Sequence, residues 1–590
     1  MEPILKITTV FTTTYKMNFH FISRVCRLAV FGAILFGSAS CIDINEELGE
    51  NFIPTDQKWD VFNPEAVDLK DIRLQMSDSL SGYSTSRFTF GAINDGVLGT
   101  SVKSTSFTLV PIADTLDFGK NTKIKQFHFS ALKDTLSLVY KNQENMLQNI
   151  YVYELKKPLD TTVLYTGAFN DPQIREEFLN LENRITVGTP VYDGGDSLSF
   201  DFDKTWTEKF VENLKKADLD SMDLYIQSAP GIFITTDTPA GPGGRINLFK
   251  LPIGTDSYGY ITGNYAQLKF TAEYDYSDEP VDTSFIFYYG PGEFLEEKAA
   301  SYPTQFAFNA SDHETSAIYG GEGVKATDKI LVEGGAGIKP VIKAAGIKTI
   351  LDSLMAEAGI ENVEEVVINK ATITLPFEAS GDYSSLDQYP TILSPTVRLR
   401  SSEGNYVSYA GLTDASIESE NQGDINRSLM KYSPDISHHV QEILRLDRND
   451  KEFEKKIENY DIWMLIMFSE NATTESTTGY NEYYQNLLYN SYYNNMMYDP
   501  YGYGYGYGGY GGYYGGGYGG YGSSYGYGNN YYNYMMMAAY ASGYSGSSDS
   551  GSYTVELDKD RFYNATLNGP EAAGRKPQLK ITFSAPKSAE

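Results

Sequence analysis

The chain has 590 residues, and its 47 basic and 77 acidic side chains give a formal charge of −30, with two cysteines and five histidines. Such acidity repels a phosphate backbone and argues against nucleic-acid binding. The cysteines and histidines are too few for a disulfide scaffold, a zinc cluster or a multi-centre redox chain, and the length points to three to four units of about 150 residues each.

From Met17 the chain offers Arg24 and Arg27, the apolar run Leu28 to Phe36, and then Gly37, Ser38, Ala39 and Ser40 before Cys41. That order of basic, apolar and small residues is a secretory signal peptide, spanning residues 1–40 with Met17 as the expected true start. Its apolar core falls well short of the roughly twenty residues that cross a bilayer. A cysteine after small residues resembles the bacterial lipobox, with Ser38 where leucine is usual, and implies that Cys41 is acylated and heads the mature chain. Residues 41–70 then form an acidic tether carrying Asp43, Glu46, Glu47 and Glu50. One reading is a solvated linker. The other is that it resembles the acidic export signal of Bacteroidota-type lipoproteins, which sends them to the cell surface.

Past the tether, strand signals dominate. Ile124 to Phe129, Ile150 to Leu155, Leu224 to Gln227, Gly231 to Thr235, Leu268 to Tyr274 and Ser284 to Tyr289 are short, aromatic or β-branched, and separated by Gly, Asn, Asp and Pro clusters. Trp206, Phe210 and Leu214 fall at helical spacing and predict a short amphipathic helix with one apolar stripe. Ile436, Val440, Ile443 and Leu444 predict a second, with Ser433 as its N-cap and Pro434 in its first turn. Between these stretches Leu331 and Val332 enter the glycine turn GGAG at 334–337, and Ile347, Ile350, Leu351 and Leu354 predict a third helix.

The first two of these helices, with the segments after them, read as copies. SMDLYIQSAPGIFITT comes after one and NYDIWMLIMFSENATT after the other, and each copy closes on a strand, Tyr265 to Tyr274 and Lys576 to Ala585. The expected fold is all-β, two antiparallel jelly-roll-like sandwiches in an internal duplication, at 71–290 and 361–590, joined by a connector at 291–360. Two unrelated β domains of similar composition are the alternative.

The second copy carries an insertion at about 476–548, where residues 501–530 hold 15 Gly and 11 Tyr. It lacks the apolar periodicity of a core and is expected to be disordered. Tyr501, Tyr503, Tyr505, Tyr507, Tyr510, Tyr513, Tyr514 and Tyr518 form a possible contact loop, since tyrosine rings stack on sugars, aromatics or headgroups. An expanded repeat with no partner accounts for the tract equally.

Asn94 to Val110, Asn149 to Asp160, Leu331 to Lys343, Val367 to Phe377 and the terminal KPQLKITF together resemble a Bacteroidota surface lipoprotein family of unknown function. The resemblance implies an outer-membrane surface subunit, alongside barrel-assembly or lipoprotein-export machinery, and brings no enzymatic residues. The Tyr/Gly tract departs from it.

Chemical motifs are sparse. No G-x-S-x-G leaves a strand, the match at Gly522 to Gly526 lying inside the Tyr/Gly tract, and GGAG has neither the Lys-Ser/Thr ending nor the spacing of a nucleotide loop. His438 and His439 are adjacent and would point about 100° apart on a helix, so they do not share a metal; His128 and His313 read as ordinary histidines. Asp275, Asp278, Glu279 and Asp282, like Asp201 and Asp203, suit solvated turns, a weak calcium site or, least, a carboxylate hydrolase. Trp206 and Trp463 read as core anchors. The expectation is therefore a lipid-anchored outer-membrane protein facing the exterior, without catalytic residues, metal or cofactor. It would act as a binding or scaffolding subunit beside an integral outer-membrane partner. A glycan-binding adhesive module is the alternative, and a surface glycoside hydrolase the second.

Overall fold

In the first repeat the strands at 120–132, 197–201 and 265–273 bury one side chain in two, whereas those at 87–95, 99–107, 232–235 and 243–250 are buried on both faces. The computed structural model describes residues 59–587 apart from 78–79, 84–86, 96–97, 135–145, 161, 256–257, 259, 291–306, 314–322, 379–382, 401–405, 413, 415–420 and 473–551. Val61–Ser584 forms one compact unit.

The chain enters through β1 (Val67–Asp68) and β2 (Ile72–Met76), then builds the first repeat from β3 (Arg87–Asp95), β4 (Gly99–Phe107), β5 (Lys120–Leu132), β6 (Tyr151–Leu155), β7 (Ser197–Asp201), α1 (Lys204–Leu214), α2 (Met222–Ser228), β8 (Ile232–Thr235), β9 (Gly243–Lys250) and β10 (Tyr265–Glu273). Two strands come next, β11 (Val281–Tyr288) and β12 (Ala307–His313). The second repeat comprises β13 (Lys329–Glu333), β14 (Ile338–Ile342), α3 (Ala344–Glu357), β15 (Val367–Pro376), β16 (Ile392–Arg400), β17 (Lys431–Tyr432), α4 (Ser437–Leu444), α5 (Phe453–Glu458), β18 (Ile462–Ala472), β19 (Ser552–Leu557), β20 (Asn564–Asn568) and β21 (Gln578–Pro586). The fold is all-β in character, a sandwich-type arrangement of antiparallel sheets with few helices.

The pairings repeat element by element. β4 pairs with β8, and β14 with β18. β6 lies on the other side of β8, as β16 does of β18. β9 pairs with β3 and β20 with β13; β10 pairs with β5 and β21 with β15. β7 and β17 each join the edge of that second sheet immediately before a helix, α1 or α4. A shorter helix, α2 or α5, then leads into β8 or β18.

This order corrects one reading from the sequence. Leu224 to Gln227 is helical, within α2, because Tyr225 buries fully and donates its hydroxyl to the Leu109 carbonyl at 2.5 Å, anchoring one turn of helix rather than an alternating strand. IWMLIMF therefore matches GIFITT, and the counterpart of SMDLYIQ is α5. The second helix also starts later than expected. α4 begins at Ser437, not near Ser433, and its cap comes from two aspartates: Asp435 accepts from the Ser437 amide at 3.1 Å, and Asp414 from the His438 and His439 amides at 2.7 and 3.1 Å. α1 has the simpler form, Asp203 accepting from Thr205 and Trp206 at 2.8 and 3.1 Å.

α1 closes one end of the first sandwich. Trp206 and Phe210 stack on Phe127 with ring centroids 6.1 and 5.6 Å away, joining a core of Phe88, Phe107, Phe129 and Phe200. In the second repeat Trp463 packs with Leu80, Val341, Tyr409 and Leu465.

Leu80 in that core marks the main topological finding. β1 and β2 precede the first repeat in sequence, yet β1 pairs with β21 and β2 with β14, both in the second repeat. The same two positions in the first repeat are taken by β11, on β10, and β12, on β4. The first repeat is completed by the strands that come after it. The second is completed by the strands that precede the first, so residues 67–76, on both sides of the boundary expected at residue 71, sit in the second repeat.

Candidate functional site: a buried polar seam between the repeats

Where the repeats meet, the chain buries charge. β4 reads GTSVKSTSF, a strand with no regular apolar alternation, and from Thr100 to Phe107 all of it except Val102 is buried. Such a strand needs polar neighbours, because a buried polar group without a partner costs more than its hydrogen bond is worth. They come from both repeats: Ser311 and His313 on β12, Glu333 on β13, Lys339 on β14 and Ser77 just after β2.

Lys103 donates to the Ser311 hydroxyl, and Ser311 Oγ lies 2.9 Å from His313 Nε2. His313 Nδ1 faces Glu333 Oε1 at 3.6 Å, with both side chains 1% exposed. Glu333 Oε2 also accepts from the Ile338 amide at 3.3 Å. Beyond it Lys339 donates to the Glu333 carbonyl, to the carbonyls of Gly335 and Gly337 at 2.8 and 3.2 Å, and to Ser77 Oγ at 3.4 Å. Ser77 in turn donates toward the Gly335 and Gly337 carbonyls at 3.3 and 3.0 Å.

The GGAG turn is glycine-rich because these groups press on it. A Cβ on Gly335, which has φ +61°, would lie 2.5 Å from Lys103 Nζ, and one on Gly337 would lie 2.3 Å from Glu333 Oε2. The electrostatic sense of the turn is opposite to that of a phosphate-binding loop. Here carbonyl oxygens converge on an ammonium, whereas a nucleotide loop turns its amides toward an anion.

Burial sets the protonation of the row. It pulls the Lys103 pKa down to about 8 against the pull of Glu333 and Asp560. It pulls Lys339 to about 7, with Glu333 opposing and Lys103 adding repulsion. His313 is driven well below the usual histidine range by burial and by the two lysines, so it is neutral at pH 7. Residues 558–563 flank the seam: Lys559 donates to the carbonyls of Ser81 and Tyr83, Asp560 accepts from Asn309 at 2.8 Å, and Asp558 holds Arg561 at 2.7 Å and the Tyr563 hydroxyl at 2.8 Å.

Ser311, His313 and Glu333 stand in the order of nucleophile, base and acid. Ser311 already accepts from an ammonium, however, the His313 to Glu333 gap exceeds a hydrogen bond, and none of the three is more than 5% exposed.

Cys41, Asp43, Glu46, Glu47, Glu50 and the tyrosines Tyr501, Tyr503, Tyr505, Tyr507, Tyr510, Tyr513, Tyr514 and Tyr518 lie outside the described residues. The strands flanking the Tyr/Gly tract are described, and they pair. β18 and β19 run antiparallel from Met467 opposite Leu557 to Ala472 opposite Ser552, so both ends of the 473–551 segment leave from one two-stranded stem.

The acidic clusters make local contacts. Asp275 pairs with Lys120 and Asp282 with Lys125, each at 2.6 Å and well exposed. Asp201 accepts from His128 and Gln126 at 2.7 and 2.9 Å, and Asp203 caps α1. His438 faces Glu442 at 3.7 Å while His439 turns inward to the Tyr460 carbonyl at 2.8 Å, so the two rings diverge. Among the described residues no group of three or more His, Cys, Asp or Glu is placed to hold a metal ion, and no described helix is long and apolar enough to cross a membrane.

The seam escaped the sequence reading, although signals existed: a lysine in the middle of a Ser/Thr-rich strand, and another in the apolar run GIKPVIK beside the glycine turn. No family model, curated protein or solved structure matches the chain.

Proposed function

We propose that the chain is a surface-displayed outer-membrane lipoprotein, held by an acylated Cys41 and an acidic tether, whose β body serves as a non-enzymatic binding or scaffolding subunit beside an integral outer-membrane partner. The resemblance to Bacteroidota surface lipoproteins supports the location. The observation that carries the role is the seam, where two repeats share one buried ionic network. Ionisable side chains that another protein would use for chemistry here fix the two repeats to each other. A body fixed in that way suits presenting docking surfaces in constant geometry at the end of a tether.

Purification from membranes in mild detergents tests the role. The reading expects a membrane-embedded protein to co-purify in constant ratio, and recovery of a lone monomer across several detergents would contradict it.

A second reading, adhesion to extracellular glycan, is favoured by the β18–β19 stem. A tract with 23 tyrosines between Tyr480 and Tyr544 departs from a single hairpin, a suitable mount for rings that stack on sugar faces. Deleting 476–548 separates the two readings. Lost polysaccharide retention with intact complexes favours adhesion; a lost partner with intact retention favours scaffolding.

A further inference from the structure

We propose that the second repeat is the load-bearing link of the molecule, carrying tension in shear between the membrane tether and the Tyr/Gly tract while the first repeat stays outside the path. The two points of pull are the proposed lipid anchor and an adhesive tract, so the role rests on both of those readings.

The strands that receive the tether grip both sheets of the second repeat. β1 pairs with β21, Val67 opposite Leu579, and β2 pairs with β14 from Ile72 opposite Ile342 to Met76 opposite Ile338. Leu69, Ile72 and Leu74 are 3%, 0% and 5% exposed, and backbone bonds of 2.8 to 3.0 Å tie Leu69 to Pro577, Asp71 to Lys343 and Ile72 to Ala326. The tract departs from the same repeat. β18 runs between β14 and β16, and Ile462 to Met467 are all buried. Its counterpart in the first repeat, β8, spans 4 residues, whereas β18 spans 11, and the added length forms the stem with β19. The repeat that takes the tether is thus the one that carries the stem.

The directions of these strands set the direction of the load. Ile72, Ile342 and Ile462 stand in one row across β2, β14 and β18, and Arg73, Val341 and Trp463 stand in the next. β14 is antiparallel to both neighbours, so β2 and β18 run the same way. The chain from the tether meets β2 at its Ile72 end. The chain to the tract leaves β18 at Ala472, the far end of an 11-residue strand and about 34 Å along it. Tension between those two exits therefore pulls the strands along their axes in opposite senses. Ladder hydrogen bonds lie across the strands, so shear loads all the bonds of a ladder together, whereas parting the strands from one end loads them in succession. The chain of the first repeat leaves β2 and returns to the second repeat at β13 and β14, so it carries no tension while β2 stays seated.

Optical-tweezer pulling on the full-length chain tests this, with Cys26→Ser and Cys41→Ser and paired cysteine handles. Lys70→Cys with Glu475→Cys loads β2 against β18 along the strands. Lys70→Cys with Glu458→Cys places both handles just ahead of β2 and β18, at the Ile72–Ile462 end, where both side chains are exposed. That second pair loads the same strands across their axes. At equal loading rate the first pair should rupture at a force at least about twofold higher, because forced unfolding reads the barrier in the direction of pull. Equal forces, or a lower force for the first pair, overturn the proposal. Palmitate labelling of Cys41 and polysaccharide retention by the tract test the two underlying readings separately, and neither result alters the ratio of the two forces.

Discussion

Replacing Lys339 by methionine keeps the side-chain stem and deletes the ammonium, which makes it the sharpest single perturbation of the seam. Lys339 is 1% exposed and so is Glu333. The carbonyls of Gly335 and Gly337 keep the Ser77 hydroxyl as a donor at 3.3 and 3.0 Å, so the loss falls mainly on the Glu333 carbonyl, which loses its ammonium donor, while the Glu333 carboxylate loses a nearby positive charge. Leaving a buried acceptor without its donor costs about 1–3 kcal/mol, a sizeable share of the roughly 5–15 kcal/mol that typically separates folded from unfolded chains. Adding Glu333→Gln removes the stranded charge, and the double variant should be more stable than the sum of the single losses by at least about 1 kcal/mol. Equilibrium urea unfolding reads this in chains retaining only Trp206 or only Trp463, which report on the first and second repeats. The seam draws on both, so both probes should shift. A loss below about 1 kcal/mol, additive variants, or a shift confined to Trp463 would show that the seam does not bind the repeats together.

Stability should rise with pH from about 7 to about 9.5, because Lys103 and Lys339 titrate below 10.5 when folded and the unfolded chain binds more protons over that window. Above about pH 10 the trend should reverse, since burial pushes the Tyr225, Tyr289 and Tyr432 hydroxyls up and only the unfolded chain ionises them; a urea midpoint that falls between about pH 7 and 9 contradicts this. Trp206→Ala should cost about 3–5 kcal/mol, whereas Trp206→Phe should cost under about 1.5 kcal/mol because the buried indole nitrogen has no hydrogen-bond partner to lose; equal losses in thermal unfolding would discount the stacking on Phe127. Gly91→Ala and Gly244→Ala should each cost at least about 2 kcal/mol, because their φ angles are +138° and +133° and a Cβ would meet the Arg245 and Ala92 carbonyls at 2.0 and 2.1 Å. Unchanged melting temperatures would show that the β3–β9 ladder yields more readily than its geometry implies.

Much of the fold was legible because its signals are local. Trp206, Phe210 and Leu214 spell out α1, and Ile436, Val440, Ile443 and Leu444 spell out α4, since an apolar stripe at helical spacing has one good solution. Leu224 to Gln227 misled because four mixed residues fit a strand as well as a helical turn, and the deciding contact, Tyr225 to Leu109, is distant in sequence. The cap of α4 was misplaced for the same reason, as Asp414 reaches it from 24 residues away. The seam lay further out of reach. Lys103, Ser311, Glu333 and Lys339 come from four strands, and nothing in the residues around any one of them names the other three. The placement of β1 and β2 was equally hidden, because strand composition records that a segment pairs and not where.

The proposed location and role both depend on the lipid anchor, and metabolic labelling with palmitate is the decisive measurement. The full chain should take up label, and Cys41→Ser should lose it along with its sedimentation with outer membranes. Equal labelling of the two chains, or none in either, would contradict the anchor and the role built on it.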